Sequence, residues 1–137
     1  MSGKLLYLDS SAIVRFVLPE PGTDALMSLL ADWPERISSV LARVEVSRAV
    51  RRADATVAVR QRAEEVVARI GLIGIDAPVL NAAARLDPPG LRTLDAIHLA
   101  TALSVERDLG CLVSYDSRLL EAAASSGLAV LAPGKAD

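Results

Sequence analysis

The 137-residue sequence holds a single cysteine, Cys111, and a single histidine, His98. One thiol excludes an internal disulfide, and one imidazole excludes the Cys/His cluster that zinc requires. Cys111 lies in the apolar run Cys111-Leu112-Val113, where a small buried hydrophobe is expected. Long apolar runs are missing as well. No segment reaches the roughly 18 consecutive apolar residues of a membrane helix, and only a short apolar stretch separates Lys4 from Asp9, too little for a signal-peptide core. A soluble, cytoplasmic protein without membrane association is therefore expected. An excess of positive charge is also lacking: 15 Lys and Arg stand against 17 Asp and Glu, a formal net charge of −2. Any contact with a polyanion must be local or metal-mediated, not a basic coat. Nearly all the basic residues are arginine, and the group Arg43, Arg48, Arg51 and Arg52 reads as a solvated helix face.

What is present is apolar mass: 52% of residues are hydrophobic, many of them alanine, a composition suited to helices packed on a buried sheet. The length fits one domain of about 100 to 200 residues. Lys4 to Leu8 predicts a strand, and Asp9-Ser10-Ser11 gives start signals for a helix through Val17. Pro19-Glu20-Pro21-Gly22 breaks that helix, Thr23 can cap a second one through Ala31, and Arg36 to Ser38 reads as a strand. Helices are expected over Leu41 to Ala53 and Thr56 to Ile70, a strand over Leu72 to Ile75, and a helix opened by Asp76 or Ala77 with Pro78. After the turn Asp87-Pro88-Pro89-Gly90, a helix from Leu94 to about Asp108 is capped by Thr93 and terminated by Gly110. A strand over Cys111 to Tyr115, a helix over Ser117 to Ser126 and a strand over Ala129 to Leu131 complete the pattern. Alternating strands and helices predict a parallel sheet covered on both faces, and residues 134–137 read as a loose tail.

Two of these strands end alike, in Asp9-Ser10 and in Asp116-Ser117. In an open parallel sheet the carboxyl edge is where ligands bind, so these acids could share a site if their strands were neighbours; the competing explanation is helix capping. Glu45 falls on the apolar side of its helix with Leu41, Ala42 and Ala49. It needs a partner there, either an arginine such as Arg48 or Arg52, the safer expectation for the residue in isolation, or a cation. Asp95 suits a helix N-terminus by charge, yet it shares a face with Leu99 and Ala102, which directs it inward. Together the four acids point to a hard cation, Mg²⁺ or Mn²⁺, which keeps open positions for a phosphate oxygen and an attacking water. His98 is expected to have a structural role rather than to act as a general base.

The residues Asp9-Ser10-Ser11-Ala12, Val44-Glu45-Val46, Asp95-Ala96-Ile97-His98-Leu99-Ala100 and Ser114-Tyr115-Asp116 resemble, in order and spacing, the motifs of the PIN domain, specifically of the short VapC-type toxins of toxin–antitoxin pairs. The likeness spans nearly the whole chain, with a PIN domain over 1–133 and a tail over 134–137. It implies an α/β fold with a five-stranded parallel sheet of order 3-2-1-4-5, in which the first and fourth strands are neighbours. It also implies metal ligation by Asp9, Asp95 and Asp116, an acidic pocket completed by Glu45, and hydrogen bonding within it by Ser10 and Ser114. Arg118 stands where some relatives carry another acid and could meet an RNA phosphate. The implied activity is that of a metal-dependent endoribonuclease toxin, with RNA as substrate, a VapB-type antitoxin that occludes the site, and a homodimer. A PIN-like module that binds RNA or protein without cutting is the rival. A phosphatase or phospho-receiver domain fits less well, for lack of an Asp-x-Asp after the first strand and of a lysine after the late one.

Overall fold

The computed structural model describes residues 3–135. In chain order they form β1 (Leu5–Leu8), α1 (Ser10–Val17), α2 (Thr23–Ala31), β2 (Arg36–Ser39), α3 (Leu41–Arg52), α4 (Val57–Ala68), β3 (Gly71–Ile73), α5 (Ala77–Ala84), α6 (Thr93–Leu103), β4 (Leu109–Val113), α7 (Ser117–Ser125) and β5 (Val130–Leu131). All strand pairings are parallel, in the order β3-β2-β1-β4-β5. The chain fills one side of β1 first and then crosses to the other, so the strand order reverses between β1 and β4, with Leu8 opposite Val113 at their carboxyl ends. Such a reversal opens a crevice at that edge.

Alternation along the strands divides the core. Leu6, Leu8, Cys111 and Val113 join the layer built by α1, α2, α3 and α4, whereas Tyr7 and Leu112 point to the opposite layer with Leu99, Leu119 and Ala123. Successive strand side chains face opposite ways, so a sheet buried on both faces needs this near-continuous apolar run. Cys111 is 4% exposed, the buried hydrophobe that its neighbours suggest.

Four helix starts are set by side chains, three of them, Asp9, Asp76 and Asp116, at positions whose sequence signals a start. Asp9, Thr56, Asp76 and Asp116 each accept a backbone N–H of the following turn, satisfying donors that a helix end leaves unpaired. Thr23 and Thr93 do otherwise: Gly22, at φ 93°, occupies the cap of α2, the Thr23 hydroxyl accepts instead from the Glu20 N–H at 2.8 Å, and Thr93 is the first residue of α6, capped by Arg92 without a side-chain bond.

The helix expected to reach Asp108 ends at Leu103. Beyond it the backbone tightens into i→i−3 hydrogen bonds, from Val105 to Ala102, Glu106 to Leu103, Asp108 to Val105 and Leu109 to Glu106. This tighter winding brings Leu109 into register opposite Leu5. Gly110 consequently lies inside β4 rather than at a helix end. There a Cβ would collide with the Trp33 ring and the Gly3 carbonyl, so the strand needs a residue without one. Gly134 packs against Gly22, and the Lys135 ammonium donates to the Tyr115 carbonyl at 3.4 Å; Ala136 and Asp137 of the expected tail lie outside the described residues.

Replacing Gly110 by alanine is expected to destabilise the protein by about 1–3 kcal/mol through overpacking. In urea this should appear as a lower midpoint with an unchanged slope, and an unchanged midpoint would show that Trp33 can move aside.

Candidate active site

Asp9 follows β1 directly and is 3% exposed. Its extended backbone turns the carboxylate back over the first turn of α1, where Oδ1 accepts from the Ala12 N–H at 2.9 Å and the Ser11 hydroxyl at 2.7 Å. Oδ2 accepts from the Ser114 hydroxyl at 2.6 Å. Burial raises the Asp9 pKa above its ordinary value, and these donors only partly offset it. Ser114 also accepts from the Asp116 N–H at 3.0 Å, so one hydroxyl ties together the ends of the two strands. Ser11 adds a second tie by accepting from the Tyr115 N–H at 2.9 Å.

Asp116 caps α7 through Oδ1 alone, accepting from the N–H groups of Arg118 at 2.9 Å and Leu119 at 3.1 Å. Among the described residues no protein group bonds to its Oδ2. Capping and site membership therefore coexist in Asp9 and Asp116. Asp95 lies in the first turn of α6, partly buried. Its pKa is pushed up to about 6, first by burial, then by the negative charges of Asp116 and Asp9, with a smaller contribution from Glu45. Mutual repulsion of this kind places the four acids in one electrostatic field.

Glu45 does not pair with Arg48 or Arg52. Its Oε1 accepts from the Ser10 hydroxyl at 2.7 Å and from His98 Nε2 at 2.7 Å. Burial acts to raise this carboxyl, but the bonds from His98 and Ser10 and the imidazole's positive potential outweigh it, leaving the pKa below its ordinary value. A helical wheel shows only the neighbours on one helix, and His98 lies 53 residues away. His98 is itself 2% exposed, and its Nδ1 meets the Tyr7 hydroxyl at 2.7 Å.

These groups line one open cleft of about 590 Å³ at the carboxyl edge of β1 and β4. Asp9, Ser10, Glu45, Asp95, His98 and Asp116 all border it. Ser114 is fully buried just behind. Arg118 is exposed and outside the lining; the arginines at the cleft are Arg15, Arg52 and Arg92. Arg15 is engaged, with Glu20 at 3.1 Å and its guanidinium 3.9 Å from the centre of the Tyr115 ring. A larger groove, about 1030 Å³ between α3 and α4, contains one acid, Glu64, so volume alone does not locate the chemistry.

The donor set is oxygen only, apart from a histidine already engaged on both nitrogens. It suits a hard cation that uses one or two carboxylates and completes its shell with water. A ready-made cage is absent: among the described residues no three His, Cys, Asp or Glu side chains stand in ion-holding geometry. The acids repel one another, and Asp9 and Asp116 each commit an oxygen to a helix cap.

The family model of the PIN domain matches residues 6–125. The chain belongs to the PIN-domain family. Within it, this PIN domain is 47% identical over 128 residues to Ribonuclease VapC46 of Mycobacterium tuberculosis, covering 93% of this chain and 97% of that protein. It is 44% identical over 138 residues to Ribonuclease VapC35 of the same species, covering 96% and 99%. These likenesses put it in the VapC branch. A chain of a toxin–antitoxin complex from Klebsiella pneumoniae shares the PIN fold with a TM-score of 0.73 at 20% identity, over 96% of this chain and 99% of that one. FitAcB from Neisseria gonorrhoeae gives 0.71 at 18%, over 93% and 97%. No helix among the described residues is long and apolar enough to cross a membrane.

Because the Asp95 pKa rises from 3.8 in the unfolded chain to about 6 in the fold, the folded state holds the proton more tightly. Stability is then lost as pH climbs between those values and stays lost above them. In chelator, Asp95→Asn is expected to melt higher than the wild type at pH 7, with the advantage gone near pH 3.5. An equal difference at both pH values would contradict the assigned repulsion.

Proposed function

We propose that this PIN domain is an endoribonuclease toxin of the VapC type that hydrolyses RNA phosphodiester bonds with a divalent cation, Mg²⁺ or Mn²⁺, in the acidic cleft. The observation that carries the reading is the convergence of Asp9, Glu45, Asp95 and Asp116, from four separate elements, at the point where the strand order reverses. The ribonuclease names of relatives 44–47% identical over nearly their whole length support it.

Asp95 and Asp116 offer unbonded oxygens to the ion. Asp9 accepts three hydrogen bonds of the roughly four a carboxylate can take, which leaves it one site. When bound, the cation supplies the positive charge that offsets the phosphate and the leaving oxygen. Glu45 is the acid placed to hold the attacking water and take its proton, because it is ionised and its second oxygen is not used by the protein. Ser10 and Ser114 keep Glu45 and Asp9 in place.

Arg52 and Arg92, on α3 and at the cap of α6, flank the acids and suit the phosphates on either side of the cut. Arg118 is an outer contact at most. A small VapB-type antitoxin that covers the cleft, a homodimer and a cytoplasmic location belong to the same proposal; the toxin–antitoxin complex among the fold's neighbours is consistent with the first.

Purified protein freed of antitoxin is expected to cleave RNA with Mg²⁺ or Mn²⁺, leaving 3′-hydroxyl and 5′-phosphate ends, and to stop on addition of chelator. Asp9→Asn and Asp116→Asn should each reduce the rate by more than roughly 100-fold, beyond what changes around the ligands cause. RNA binding without cleavage in either cation would favour the non-cutting module instead. With a non-cleaving variant, Arg52→Ala and Arg92→Ala should each weaken RNA binding and reduce the salt slope by about 1; an unchanged slope would remove them from the phosphate path.

A further inference from the structure

We propose that His98 is a positioning residue: held from behind by Tyr7, its imidazole clamps Oε1 of Glu45 and so reserves Oε2 for the cleft. The inference rests on the ribonuclease reading for what Glu45 does, and on geometry for how Glu45 is held.

The four groups involved come from four elements: Tyr7 from β1, Ser10 from α1, Glu45 from α3 and His98 from α6. Their contacts form one continuous path, Tyr7 hydroxyl to Nδ1 at 2.7 Å, Nε2 to Glu45 Oε1 at 2.7 Å, and Ser10 hydroxyl to the same Oε1 at 2.7 Å. Ser10 also lies 3.3 Å from Nε2, closing a triangle. Tyr7 is fully buried and His98 nearly so, while the Glu45 side chain is 25% exposed. The path therefore begins in the core and ends at the wall of the cleft. It also crosses the sheet edge, since Tyr7 and α6 belong to one helical layer and α3 to the other.

Donor arithmetic fixes the direction of the bond to Glu45. An ionised Glu45 can only accept, so Nε2 must carry a proton. On the far side of the ring, Nδ1 meets the buried Tyr7 hydroxyl at 2.7 Å. The ring cannot turn without breaking both bonds. Outer partners that fix a catalytic group in this way typically contribute about 10- to 100-fold to activity. Nothing comparable restrains Oε2, which has no protein partner among the described residues.

The test has two arms. In the first, His98→Leu is expected to lower kcat for RNA cleavage about 10- to 100-fold with little change in KM, and His98→Gln, which can present an amide N–H near the place of Nε2–H, should recover much of the loss. In a Glu45→Gln background, His98→Leu should cost nothing further. A His98→Leu enzyme as active as the wild type, a loss that adds in full to that of Glu45→Gln, or a folded His98→Gln protein no better than His98→Leu would each overturn the proposal. Circular dichroism and melting confirm the fold of each variant.

The second arm needs no activity. His98 is the only histidine, so in untagged, metal-free protein every imidazole signal is its own. One slowly exchanging N–H proton on Nε2 is expected, shifted upfield by Glu45→Gln, with the Nδ1 nitrogen perturbed by Tyr7→Phe. Rapidly exchanging or interconverting tautomers would overturn the clamp. A wild type that cuts no RNA would refute the ribonuclease reading, while these signals would still decide how Glu45 is held.

Discussion

A carboxylate almost completely removed from water at the end of the central strand is the constraint around which this site is organised. Asp9 sits where β1 stops and its neighbour β4 also stops, and burying its charge is unfavourable unless donors surround it. Ser11, Ser114 and the first turn of α1 supply them. Meeting that need draws the ends of both strands and the start of α1 into one hydrogen-bonded knot, and Asp116 is carried into place by its backbone bond to the same serine. The electrostatic strain that remains, visible in the raised pKa of Asp9 and Asp95, is what a divalent cation bound there would relieve.

The two helical layers contribute unequal parts. The layer on one face brings Glu45, already ionised and held by donors, while the layer on the other brings Asp95, whose charge is opposed by its neighbours. Acids pushed in opposite directions within one cleft suit different tasks: on the proposed reading Glu45, with its Oε2 unused by the protein, would hold the attacking water, and Asp95 would gain most from an ion. His98 spans the gap between the layers, which explains why a buried imidazole lies beside a polar cleft.

Much of this was legible from residue order alone. Strand-end aspartates, apolar strands and capping residues gave the alternation of elements and the edge where the acids gather, because these signals are local or repeat at fixed spacing; the sheet order came only from the resemblance to the PIN domain. Long-range pairings were not legible. Glu45 reads as a partner for Arg48 or Arg52 when only its helix is visible, and Ser11, which braces Asp9, was hidden behind Ser10. Its position two residues after a capping acid was the available signal. The end of α6 was overestimated because the residues from 104 to 108 tolerate a helix; what stops it is the registration of β4 against β1, a tertiary demand absent from local propensity.

The central claim, that acids distant in sequence share one divalent cation, is tested most directly by titrating Mn²⁺ into chelator-treated protein and following the free ion by electron paramagnetic resonance. Saturable binding at one or two sites is expected, abolished or greatly weakened by Asp116→Asn together with Asp95→Asn and unaffected by Asp32→Asn, an exposed acid away from the cleft. Absence of saturable binding, or binding indifferent to the loss of both cleft acids, would contradict it.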